Sequence, residues 1–109
     1  MISNEIKEDL IKGLNIIMGD KMRELLLYGS VARGDDNVDS DVDIAMIVKS
    51  KLSDREKKMF IHWNAQMDMK YDRVFSIIDV EEELLKKWGD MVPFYKNIKS
   101  EGIVLWKAA

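Results

Sequence analysis

Five aspartates stand between positions 35 and 43, at Asp35, Asp36, Asp39, Asp41 and Asp43, and Arg33 is the only cation close by in sequence. Such a cluster repels itself, and solvated Asx-turn chemistry is enough to explain Asp35, Asp36 and Asp39. Asp41 and Asp43 differ because they open the apolar run Asp41 to Val48. Strand alternation sends both carboxylates to one face and Val42 and Ile44 to the other. Carboxylates held so close have raised pKa values unless a cation lies between them. Magnesium suits that place, since it usually reaches a protein through one or two carboxylates plus substrate phosphates. A phosphate needs its own cradle, and Gly29-Ser30 offers one. Glycine lets the backbone approach closely, serine adds a hydroxyl and an N–H, and a helix starting there points its positive end at an anion. No Gly-Lys-Ser/Thr follows, so this is not a Walker A loop. Asp72, in the run YDRVFSII, is a further carboxylate beside a strand-like segment.

These residues need a scaffold. From Asn4 to Met18 the residues Ile6, Leu10, Leu14, Ile17 and Met18 recur at helical spacing, and Gly19 follows. Glu24 to Tyr28 is a short apolar run that suits a buried strand ending at Gly29. The segment Arg33 to Ser40 is turn chemistry that delivers the chain into the strand Asp41 to Val48. Ser53 and Glu56 fit a capping box, after which Met59, Phe60, Trp63 and Met67 mark one face of a helix. Tyr71 to Ile78 is rich in aromatic and β-branched residues and predicts a third strand, with Asp68 and Asp79 on its flanks. Asp79 offers a cap for a helix ending at Trp88 and Gly89; Pro93 opens a short helix that Gly102 ends before the apolar Ile103 to Trp106. The expected architecture is an α/β (α+β) fold with a small mixed sheet flanked by helices, as a single domain over 1–109.

Composition removes several classes of function. With no cysteine there are no disulfides, thiolate zinc sites or cysteine nucleophiles. A net charge of -3 lacks the basic footprint of a protein that grips nucleic acid through its phosphates. The longest apolar runs, Leu25 to Leu27 and Ile44 to Val48, fall far short of the roughly 20 residues that span a bilayer. Acids stand where a signal peptide is basic, so cytoplasmic residence is expected and membrane association is not. His62, the only histidine, has no second histidine or cysteine with which to build a zinc site. Trp63, Trp88 and Trp106 fit core or interface anchoring better than base stacking, and Met18, Met46, Met59 and Met67 fit core positions.

The run G-S-V-A-R-G at 29–34 followed by S-D-V-D-I at 40–44 resembles the signature of the polymerase-β-type nucleotidyltransferase superfamily. The short chain resembles its minimal nucleotidyltransferase (MNT) members, and YDRVFSIID at 71–79 and YKNIKSEGIVLW at 95–106 look like that family's third strand and tail. The resemblance implies that Gly29 and Ser30 bind the triphosphate of ATP and that Asp41 and Asp43 hold two magnesium ions. It also implies that Asp72 is the third carboxylate, binding the catalytic metal and activating the attacking hydroxyl. In-line attack on the α-phosphorus would then expel pyrophosphate. Arg33 either adds charge stabilisation to the triphosphate or pairs with the aspartate loop.

MNT proteins of this kind commonly act, by that resemblance, as the antitoxin beside a HEPN-domain ribonuclease toxin, adenylylating a tyrosine near the toxin's active site. Two other functions stay open: a non-catalytic antitoxin that masks its toxin by binding, and a small-molecule nucleotidyltransferase completed by a partner subunit.

Overall fold

The computed structural model describes residues 2–37 and 40–109, so Asp39 of the aspartate cluster lies outside the described residues. In chain order the elements are α1 (Asn4–Met18), β1 (Met22–Tyr28), α2 (Gly29–Arg33), β2 (Val42–Val48), α3 (Asp54–Tyr71), β3 (Phe75–Glu81), α4 (Glu82–Trp88), α5 (Pro93–Glu101) and β4 (Ile103–Lys107). The strands form one mixed sheet in the order β3-β2-β1-β4. β1 is antiparallel to both β2 and β4, while β2 and β3 run parallel with α3 as their crossover.

The two faces of the sheet are sorted by alternation. Leu25 and Leu27 of β1 and Val42, Ile44, Met46 and Val48 of β2 pack with Ile6, Leu10, Leu14 and Met18 of α1 and with Met67 of α3. Leu26, Ala45, Ile47 and Val80 face the other way, against Ile98 of α5 and Leu85 of α4. Helices α1 and α3 therefore cover one face, and α4 and α5 the other. The α1–α3 contact is close: a β-carbon on Gly13 would lie 2.2 Å from Trp63 Nε1. A cavity of about 310 Å³, lined in part by Gly13, Ile16 and Trp63, opens between these two helices, on the face away from Ala45 and Ile47.

Local chemistry sets the helix starts. Ser3 Oγ accepts the Ile6 N–H at 3.2 Å, and the expected capping box forms in both directions, Glu56 N–H to Ser53 Oγ at 3.1 Å and Ser53 N–H to Glu56 Oε1 at 2.7 Å. Lys21 binds Glu56 at 2.6 Å, and this hydrogen bond, with the capping contacts, holds the Glu56 carboxyl below its usual range.

Three expectations about the elements change. The third strand is Phe75–Glu81, not Tyr71 to Ile78, because α3 continues to Tyr71. Asp79 lies inside β3 and caps nothing; α4 starts after Glu81 without a side-chain cap. Met59 is 40% exposed and lies outside the core, whereas Met18, Met46 and Met67 are buried.

Candidate active site

The antiparallel β1–β2 pair brings the C-terminal end of β1 to the N-terminal end of β2, and the parallel β3 starts at that same edge. One row of side chains results, with Tyr28 level with Asp43 and Asp43 level with Ser76. By strand period this row belongs to the face of Leu26, Ala45 and Ile47, beyond the part that α5 covers. Asp41, two residues ahead of Asp43, shares the face and accepts a hydrogen bond on Oδ2 from Ser76 Oγ at 3.1 Å.

Asp43 is half-buried, and its carboxyl is pushed above the usual aspartate range, first by burial and then by the charge of Asp41; Arg33 partly offsets this. Burial, and the charge of Asp43, also raise the Tyr28 hydroxyl. A site that penalises its own negative charge in this way suits a cation, and two carboxylates on one face are the hard oxygen donors that magnesium takes.

Gly29 sits directly against Asp43. Its φ is +74°, and a β-carbon there would lie 2.3 Å from Asp43 Oδ2. Only glycine allows the backbone both that conformation and that approach. Ser30 and Val31 follow in α2, which Gly34 ends in the left-handed region at φ 80°. α2 has only five residues, so its macrodipole is small, and the groups it could offer an anion are its local N–H groups and the Ser30 hydroxyl.

Arg33 is exposed and pairs with Asp35 at 3.3 Å and with Glu101 of α5 at 3.2 Å. The ion pair with the aspartate loop therefore forms, with a second acid added from α5. Asp72 is not in a strand: it is the C-cap of α3 at φ 50° and is exposed. Its neighbour Asp68 has a structural task, accepting the Phe75 N–H at 2.9 Å and an Asn64 amide hydrogen at 3.3 Å, which fixes where β3 begins. The structure thus brings Gly29, Asp41 and Asp43 together, and it places Asp72 at the end of α3, two residues before Val74, whose carbonyl accepts the Val42 N–H at 2.9 Å.

Tyr28 and Ser76 were not apparent as site residues from sequence. Their signal is the register of three strands, which no local pattern contains; had β3 been started at Phe75, Ser76 would have stood out as the polar member of the set Ser76, Ile78 and Val80. His62 is exposed on α3, while Trp63 and Trp106 pack against the core. No helix among the described residues is long and apolar enough to cross a membrane.

The chain is 33% identical over 91 residues to the candidate protein adenylyltransferase MJ0141 of Methanocaldococcus jannaschii, covering 84% of this chain and 92% of that protein. A second such protein of that organism, MJ0604, is 28% identical over 102 residues, 91% of this chain and 93% of the relative. In fold the chain is similar to a toxin–antitoxin complex crystallised with AMP-PNP, at a TM-score of 0.65 and 19% identity, over 94% of this chain and 73% of that one. It is also similar to a tri-AMPylated Shewanella oneidensis HEPN toxin in complex with its MNT antitoxin, at a TM-score of 0.60 and 16% identity, over 98% of this chain and 74% of that one. The sequence profile described as "Polymerase beta, Nucleotidyltransferase" matches residues 11–108, and the chain belongs to that nucleotidyltransferase family.

Proposed function

We propose that this chain transfers AMP from ATP to a tyrosine hydroxyl of a HEPN-type toxin and so acts as its antitoxin. The observation that carries the reading is the contact of Gly29 with Asp43 beside Asp41, a backbone fitted against paired carboxylates. Family membership and the adenylyltransferase names of the relatives support the chemistry. The likeness in fold to toxin–antitoxin complexes supports the partner.

In this reading Gly29 and Ser30 receive the triphosphate, and Asp41 and Asp43 hold magnesium. The bound metal supplies charge neutralisation on the phosphate oxygens. The tyrosine oxygen forms a bond to the α-phosphorus as the bond to the β-phosphate oxygen breaks; pyrophosphate leaves and the hydroxyl proton passes to water. Asp41 and Asp43 fix the position of the nucleotide, and Gly29 keeps the nucleotide close to them. The two-ion scheme expected from sequence calls for a third acid, and among the described residues no three acidic or histidine side chains are grouped to hold a metal ion.

A protein acceptor fits the surroundings better than a small molecule. Phe94 is 43% exposed, and its ring meets Tyr28, the residue level with Asp43, edge-on at 6.2 Å, so exposed apolar surface lies beside the aspartate row. The reading keeps the cytoplasmic residence expected from the sequence.

The test is the intact mass of the HEPN-domain product of the neighbouring gene after incubation with this chain, ATP and magnesium, with Asp41→Asn/Asp43→Asn as control. Gain of one or more AMP units, absent with the double variant, is the expected result. A stable complex with no mass gain would instead establish neutralisation by masking.

A further inference from the structure

β3 supplies a hydroxyl at the place where a three-carboxylate site needs an acid. Alternation leaves Ser76, Ile78 and Val80 as the β3 residues on the face of Asp43. Of these only Ser76 is level with Asp43; Ile78 and Val80 stand beside Ala45 and Ile47. Ser76 is engaged there, donating to Asp41. Among the described residues, three acids around β3 have other places: Asp68 holds the first N–H of β3, Asp72 caps α3, and Asp79 is level with Met46, whose side chain enters the opposite core. Among the described residues no group of three or more histidine, cysteine, aspartate or glutamate side chains is placed to hold a metal ion.

We infer that this chain holds a single divalent cation with its bound nucleotide, through Asp41 and Asp43, and that Ser76 sets that number by occupying the strand position from which a third carboxylate would reach. The inference rests on the nucleotide-site reading above. Beyond the ion held by Asp41 and Asp43, a second dication would find from this strand only a neutral hydroxyl, and one oxygen of Asp41 is already engaged in a hydrogen bond. Hard dications are retained by anionic oxygen donors, and a lone serine hydroxyl is a poor substitute for a carboxylate. Ser76 is in this view a positioning residue: it orients the Asp41 carboxylate and leaves the second ion without its anchor.

The experiment is a Mn²⁺ titration of the full chain with AMP-PNP, read by electron paramagnetic resonance and by the amount of nucleotide bound. The expected result is one Mn²⁺ per bound AMP-PNP with no spin coupling. Ser76→Asp should take up a second equivalent and show the spectrum of a coupled pair, and Ser76→Ala should stay at one. Two coupled ions in the unmodified chain would overturn the inference, as would a folded Ser76→Asp that still binds one. If Ser76→Asp does not fold, the count on the unmodified chain decides alone. If the chain binds no AMP-PNP at all, the nucleotide reading fails and takes this inference with it; a count of two ions removes the inference and leaves that reading standing.

Discussion

Gly29 and Asp43 touch so closely that a β-carbon on the first would fall 2.3 Å from a carboxylate oxygen of the second. Gly29→Ala therefore meets two costs at once. A non-glycine residue at φ +74° loses about 1–2 kcal/mol, and the new methyl group must also push the Asp43 carboxylate out of place. The variant is expected to melt at a lower temperature and to bind ATP at least tenfold more weakly, a loss of about 1.4 kcal/mol. Calorimetric titration beside a thermal unfolding curve checks both; wild-type affinity would show that the contact plays no part in holding nucleotide.

Asp41→Asn and Asp43→Asn should each lower AMP transfer by roughly 10²–10³-fold or more, the size of effect seen when a group that stabilises developing charge is removed. The fold should survive, because each change relieves repulsion between the pair in the metal-free chain. Transfer rates measured on protein with an unchanged far-ultraviolet spectrum are the check, and a variant retaining the wild-type rate would remove that carboxylate from the chemistry.

The raised pKa of Asp43 has a defined sign in stability. A folded pKa above the unfolded value means that the charged form destabilises the fold at neutral pH. The penalty fades as pH falls through the raised folded value, and it is gone below the ordinary value of about 3.9. The melting temperature of metal-free Asp43→Asn should thus exceed that of the unmodified chain at pH 7, and the gap should shrink on acidification. Comparing the two proteins isolates Asp43 from Asp9 and Glu56, whose lowered pKa values give the opposite slope. Melting curves of both across the acidic range decide it; a gap that widens toward low pH would contradict the burial and repulsion assigned to this carboxylate.

Ser30→Ala removes one hydroxyl from the triphosphate cradle. A hydrogen bond to a charged group is worth about 1.5–3 kcal/mol, so ATP affinity should fall by roughly 10- to 100-fold while the melting temperature stays close to that of the parent. Equal affinity in the variant would take the phosphate contact away from Ser30.

Asp72→Gly separates the sequence-based assignment from the structural one. At φ 50° a glycine relieves left-handed strain, so the variant should be more stable by up to about 1 kcal/mol, and transfer should stay within about threefold of the parent. A collapse of transfer in this stable variant would return Asp72 to the site.

Much of this arrangement is legible in the sequence, for identifiable reasons. Ser53 and Glu56 announce their helix because a capping box is a local device, and the spacing of Ile6, Leu10 and Leu14 announces α1 because burial follows the helical period. Gly29, Asp41 and Asp43 are legible because a close backbone approach and a paired-carboxylate face are written in residue types a few positions apart. The element around Asp72 was misread because YDRV has strand-like composition, yet α3 keeps its hydrogen bonds through Tyr71 and Asp72 accepts the left-handed turn that ends it. Ser76 was hidden because its importance depends on pairing with Asp43 across a crossover, a relation set by how α3 packs and not by neighbouring letters.

The order in which the strands pair also governs how the protein is made. β1 and β2 are close in sequence and can zip soon after both emerge, carrying Gly29 and Asp43 into contact. The other edge of β1 waits for β4, since Leu25 pairs with Trp106 from the far end of the chain. Until that last strand arrives, the backbone amides and carbonyls along β1 are an open template for pairing with other chains. Amide exchange should mirror this hierarchy, slowest where β1 meets β2 and faster where it meets β4, and the nascent chain is most vulnerable to aggregation in the interval between the two pairings.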